Sequence, residues 1–150
     1  MQSPHIKLKE IIWEITSECH NNCSYCGSET ERHIKTDENV ICSIADEISK
    51  YPPEQIDISG GDPLLVSHAT HKYITSQFFN KSVCKILCNP KSFKGSYINT
   101  LQLYDWVGIS INNEKELNKA IDSNIVELLD KKCTIISNFN SSNIFYFDSI

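Results

Sequence analysis

Ile15-Thr16-Ser17-Glu18-Cys19-His20-Asn21-Asn22-Cys23-Ser24-Tyr25-Cys26-Gly27-Ser28-Glu29 is the stretch on which the reading of this chain turns. Its cysteines have the spacing C-x3-C-x2-C, with aromatic Tyr25 directly before the third. Three thiolates on one tight loop can hold three irons of a [4Fe–4S] cluster and leave the fourth iron without a protein ligand. An iron with an open position can bind a second molecule. The same thiols could instead hold a structural zinc, with His20 as fourth ligand. Two features count against zinc: His20 is adjacent to Cys19, which strains joint ligation, and no second cysteine knuckle follows.

The rest of the chain narrows the choice. A length of 150 residues gives one domain, residues 1–150, with room for a real core but short for a full barrel. The net charge is −5 and there is no Lys/Arg block, which argues against nucleic acid or an anionic membrane as a partner. The opening MQSPHIKLKE has no apolar core of a signal peptide, and no apolar run approaches membrane length, so the expected location is the cytoplasm. Seven cysteines in such a chain point to metal or catalysis rather than a disulfide framework.

Apolar alternation recurs between helical patterns along the chain. Residues 11–16 predict a first strand, and the cysteine loop leaves its C-terminal end. Thr36 is positioned to cap a helix with the apolar stripe Val40, Ile41, Ile44, Ala45 and Ile48, stopped by Pro52-Pro53. Residues 56–59 predict a second strand running into Gly60-Gly61-Asp62-Pro63. A helix over 68–79, a strand over 83–88, a short helical stretch over 97–103 and a strand over 106–111 follow. One helix, or two broken near Asp122-Ser123, leads to a fifth strand over 133–137, and residues 143–150 could begin another element.

Strands alternating with helices at this spacing predict right-handed βα units and a parallel sheet. Ile56 and Ile58, then Cys84, Ile86 and Cys88, then Val107, Ile109 and Ile111 share one face of their strands. The other face, with Glu14, Thr16, Asp57, Ser59, Asn89, Ser110 and Asn112, becomes polar toward the C-terminal ends of the strands. A doubly wound sheet would read apolar on both faces. The expected fold is therefore α/β: a partial (β/α) barrel of five to six parallel strands, curved and open, with helices on the convex face. Ligands of such folds sit at the C-terminal ends of the strands, the edge from which the cysteine loop and the Gly-Gly turn both leave. Two glycines allow a sharp turn and remove side chains that would keep a ligand from the main chain.

Together, CHNNCSYC after a first strand and SGGDP after a second resemble the radical S-adenosylmethionine superfamily. The resemblance runs from about Ile11 to Asn138, with Asp62 where Glu is more usual. It implies that Cys19, Cys23 and Cys26 ligate a [4Fe–4S] cluster whose open iron is chelated by S-adenosylmethionine. Reductive cleavage of that cofactor, with electrons from an external donor, would give a 5′-deoxyadenosyl radical that takes hydrogen from a substrate. The resemblance places Tyr25 near the adenine and the turn Ser59, Gly60, Gly61, Asp62 and Pro63 at the methionine amino group. It makes Ser110 and Asn112 candidates for the ribose or carboxylate, and Asn138 a candidate for the adenine.

Other polar groups have structural readings beside functional ones. Cys84 and Cys88 face the helices and read as core thiols, as do Cys42 and Cys133. His68 and His71 read as surface or core-edge residues of a helix. Glu14 is either a catalytic carboxylate or a structural hydrogen-bond acceptor. Only five strands are clear, and an open barrel edge is one that a protein or peptide substrate, or a partner subunit, could cover. SGGDPL and the short chain resemble activases that install a glycyl radical, although the approach WEITSE looks more like the peptide-modifying and general small radical enzymes. A small-molecule enzyme such as a 7-carboxy-7-deazaguanine synthase shares the compact size and loop order.

Overall fold

A computed structural model of the chain describes residues 8–21, 23, 26, 34–93, 95–129 and 132–137. Five strands lie in one sheet in the order β1-β2-β3-β4-β5: β1 Glu10–Glu14, β2 Gln55–Ser59, β3 Val83–Cys88, β4 Trp106–Ser110 and β5 Cys133–Ile136. All neighbouring pairs are parallel. Between them run the helices α1 Glu38–Ser49, α2 His68–Phe78, α3 Ile98–Leu101, α4 Glu114–Asp122 and α5 Ile125–Leu128. The sheet is open and curved, and of the two alternatives expected before the fifth strand, one helix or two broken near Asp122-Ser123, the structure has two. Asn124 causes the break, adopting a left-handed φ of 50° directly after Ser123 closes α4. Residues 143–150, where a further element was expected, lie outside the described residues.

The face shared by Ile56, Ile58, Cys84, Ile86, Cys88, Val107, Ile109 and Ile111 is buried against the helices, together with Ile41, Ala45, Ile74, Phe78, Leu101 and Tyr104. Burying one such aliphatic side chain stabilises the fold by about 1.5–3 kcal/mol, which makes this face the main source of stability. The opposite face mixes apolar and polar residues along the strands. In register, Ile12 stands beside Asp57, Lys85 beside Trp106, and Leu87 beside Gly108. Ile12 is 67% exposed. Asp57 and Lys85 lie in mid-strand, and Ser59, Asn89 and Ser110 gather at the C-terminal ends of the strands.

Two details of α1 differ from expectation for physical reasons. Its cap is Asp37, whose Oδ1 accepts the Asn39 N–H at 2.9 Å, because a carboxylate one residue nearer the helix reaches the free amides first. Thr36 instead donates its hydroxyl to Thr16 Oγ1 at 3.0 Å, tying the start of α1 to the end of β1. Of the expected stripe, Ile41 and Ala45 are buried and Ile48 packs against the core, but Val40 and Ile44 are exposed. The face that α1 buries is thus narrower than the apolar pattern. Glu38, on its first turn, accepts the hydroxyls of Ser67 and Thr70 and thereby ties α1 to the beginning of α2.

His71 is not at the core edge but wholly buried, with 0% exposure. Its Nε2–H donates to the Pro63 carbonyl at 2.9 Å, which leaves Nδ1 to accept the Tyr104 hydroxyl at 2.6 Å. Burial lowers its pKa from 6.5 to about 4, so the folded chain holds it neutral. The unfolded chain takes up this proton below pH 6.5, and stability is therefore lost as the pH falls from 6.5 toward 4. Between pH 6.5 and 5, above the ordinary carboxylate range, the expected loss is about 2 kcal/mol. Urea unfolding at the two pH values measures it. An equal loss in His71→Phe would show that the drop has another source.

Candidate active site

The parallel ladder of β1 and β2 does not stop at the strand ends, and its continuation builds the site. Beyond Glu14, Ile15 N–H donates to Ser59 O at 3.0 Å, Gly61 N–H to Thr16 O at 2.7 Å, and Asp62 N–H to Glu18 O at 2.8 Å. The stem of the cysteine loop is thereby bonded along the Gly-Gly-Asp turn. The glycines are demanded by that contact. Gly60 has φ +143°, and a Cβ there would sit 2.4 Å from Thr16 O; one on Gly61 would sit 2.5 Å from Glu18 O and 2.6 Å from Ser17 O. The expectation that they clear room for a ligand is corrected: the space is taken by the cysteine-loop stem. Thr16 holds the stem from within, its buried Oγ1 accepting the Glu18 N–H at 3.0 Å.

Above this joint lies a cleft of about 330 Å³ lined by all three loop cysteines, Asn21, the run Ser59 to Pro63, Asn89 and Ser110, with an apolar floor. Leu87 and Ile136 make the floor, filling the space left by Gly108, where a Cβ would lie 2.4 Å from Leu87 Cδ2 and 2.9 Å from Ile136 Cδ1. Of the residues named from the sequence, Cys19, Cys23, Cys26, Ser59, Gly60, Gly61, Asp62, Pro63 and Ser110 therefore meet at one cleft. Asn112 is buried behind Ser110 and is not among its lining residues. Glu14 is exposed and lines a different cleft with Trp13, Thr36, Val40 and Ile44. Tyr25 and Asn138 lie outside the described residues.

Asp62 is only 2% exposed. Oδ1 accepts the Leu64 N–H at 3.2 Å, capping the short turn Pro63–Leu65, and Oδ2 accepts the Ser92 hydroxyl. Burial pushes its pKa up, against these two hydrogen bonds. The shorter side chain thus serves its own turn, and Pro63 O is held from below by His71. Cys88 has its sulfur 3.6 Å from Gly108 O and belongs to the core, yet it also borders the cleft.

The thiols suit a multi-iron group. Burial pushes the Cys19 thiol up, and negative charge on Asp62, Cys23 and Cys26 pushes the same way, opposed by the Asn21 N–H, which donates to its sulfur at 3.3 Å. Crowded thiolates of this kind call for a cation. Among the described residues, no three His, Cys, Asp or Glu side chains are placed to hold a metal ion together. His20 is 71% exposed, with Nε2 4.0 Å from Glu18. A donor set of three sulfurs around one cleft fits a cluster with one open iron.

The positions missed in the sequence are Asn21, Leu87, Asn89, Gly108 and Ile136. Gly108 carried a signal, since glycine inside a strand marks close approach. Asn89 carried another, as the residue leaving a strand at the ligand-binding edge.

The fold of this chain recurs in known proteins. The chain aligns over 95% of its length, at 17% identity and a TM-score of 0.69, with anSMEcpe, solved with bound AdoMet and the Cp18Cys peptide. BtrN in an open conformation aligns over 92% of the chain, at 16% identity and a TM-score of 0.60. Both are radical S-adenosylmethionine enzymes. The chain shares the fold of these two enzymes. A curated relative of Methanocaldococcus jannaschii, provisionally named a glycyl-radical enzyme activating enzyme, is 22% identical over 143 residues. The chain spans 38% of that relative, and 46% and 58% of the two structures. No family model matches it. Among the described residues no helix is long and apolar enough to cross a membrane.

Proposed function

We propose that this chain is a radical S-adenosylmethionine enzyme acting on a protein or peptide. The observation that carries the proposal is the single cleft onto which the three loop cysteines and the Gly-Gly-Asp-Pro turn both open. Cys19, Cys23 and Cys26 would hold a [4Fe–4S] cluster. When bound and reduced, that cluster supplies the electron that splits S-adenosylmethionine into methionine and the 5′-deoxyadenosyl radical.

The chain's own work is orientation and exclusion of water. The turn from Gly60 to Pro63, held on one side by the cysteine stem and on the other by His71 at the Pro63 carbonyl, offers the Gly60 and Gly61 carbonyls to the methionine amino group. The Asp62 carboxylate, already accepting two hydrogen bonds, acts by holding that turn. Leu87 and Ile136 give the cleft an apolar floor on which a reactive carbon is kept from solvent. The peptide-bound anSMEcpe structure and the provisional activating-enzyme relative support a protein or peptide substrate.

The test is anaerobic reconstitution with iron and sulfide, followed by reductant and S-adenosylmethionine. Brown protein carrying about four irons and forming 5′-deoxyadenosine is expected. A fully loaded, reduced protein that forms none would refute the activity. About one zinc without sulfide would favour the structural-metal reading.

A further inference from the structure

Glu116 stands on the first turn of α4 with 0% exposure, an environment that carboxylates enter only when paired. Lys91 Nζ lies 3.1 Å from its Oε1, and the Asn112 N–H donates to Oε2 at 2.7 Å. Burial pushes the Glu116 pKa up, but the Asn112 N–H and Lys91 outweigh it and hold the carboxyl below the ordinary glutamate range. An ionised carboxylate only accepts hydrogen bonds, so it dictates which end of the Asn112 amide faces it. That end is the NH2: Nδ2 is 3.3 Å from Glu116 Oε2 and 2.9 Å from Ser110 Oγ.

The consequence is directional. Ser110 Oγ accepts from Asn112, so its own proton points elsewhere, and Ser110 borders the cleft. The Ser110 backbone is steadied as well, its carbonyl lying 3.4 Å from the Asn89 amide that donates to it. We propose that Glu116, acting through Asn112, sets the Ser110 hydroxyl as a hydrogen-bond donor to an acceptor oxygen of bound S-adenosylmethionine. Glu116 is a positioning residue in this scheme, and Ser110 makes the contact. The inference rests on the radical reading above, since it names the cofactor as the acceptor.

Equilibrium dialysis of labelled S-adenosylmethionine against the anaerobically reconstituted protein tests it. Ser110→Ala should weaken binding about tenfold, the range of a hydrogen bond in which one partner is charged or well buried. Ser110→Thr, which keeps the hydroxyl, should bind like the parent. Glu116→Gln should weaken binding in the same direction at unchanged iron content. The double variant should be no weaker than Ser110→Ala alone, because the two residues act in series. If Glu116→Gln does not fold, Lys91→Met, which removes the cation paired with Glu116, should weaken binding in the same direction.

Competition with methionine and with 5′-deoxyadenosine locates the acceptor. A defect confined to methionine places it on the carboxylate, and one confined to 5′-deoxyadenosine on the ribose. A Ser110→Ala protein that binds like the parent, or losses that multiply in the double variant, would overturn the relay. A parent protein that carries its cluster but binds no S-adenosylmethionine would instead overturn the proposed function.

Discussion

Alanine at Cys19, Cys23 or Cys26 is expected to leave protein that retains little iron and forms 5′-deoxyadenosine at less than about one hundredth of the parental rate. Outer partners of metal ligands are already worth about 10–100-fold in affinity, and a lost ligand removes more. The effect should be equal at the three positions, because all three border the same cleft and none has a spare thiol beside it on the loop. Cys42 on α1 and Cys133 on β5 supply the controls: both are half-buried away from the cleft, and their alanine variants should keep parental iron. Iron and sulfide analysis after anaerobic reconstitution reads both sets. Parental iron in any of the three loop variants would remove that cysteine from the proposed ligand set.

Gly60→Ala carries the largest expected cost in stability. At φ +143° an alanine pays backbone strain of about 1–3 kcal/mol. Its Cβ would also lie 2.4 Å from Thr16 O, main chain that cannot swing aside without breaking the Gly61-to-Thr16 hydrogen bond. The sum is roughly 3–5 kcal/mol, a large part of the stability of a domain this size. Gly61→Ala meets Ser17 O and Glu18 O and should approach the same loss. Gly108→Ala is the contrast. It meets only the side-chain ends of Leu87 and Ile136, which can rotate, and should cost about 1 kcal/mol. Urea unfolding ranks the three. Should Gly60→Ala prove as stable as Gly108→Ala, the close packing of stem on turn would be wrong.

These two experiments probe features that were legible to different degrees. The cysteine spacing and the strand alternation could be read directly, because ligand spacing and side-chain period are local properties of the chain. The boundaries of β3 and the break between α4 and α5 follow from the same local rules. The glycines were legible as a turn, but their reason was not. The atoms that exclude a side chain there belong to residues 16–18, more than forty positions earlier.

The buried polar groups lay furthest from sight. Glu116, three residues after the cap Asn113, stands where a glutamate can turn back on its helix start, but its burial beside Asn112 and Lys91 is set by the fold. His71 looked like a helix-surface residue until α2 was packed beside Tyr104 and the Pro63 turn. Thr36 and Asp37 are both good caps, and the choice fell to the one not drawn away by Thr16.

The sequence by itself determined the parallel α/β sheet, its apolar face, and the placing of three thiols and a Gly-Gly turn at one edge. Periodicity and ligand spacing are short-range and survive without coordinates. Only the tertiary structure decided that the ladder of β1 and β2 continues past both strands, that Asp62 serves its own turn, and that Glu116 stands behind Ser110. Each of those depends on hydrogen bonds closing between distant parts of the chain, which are settled only when the core brings the parts together.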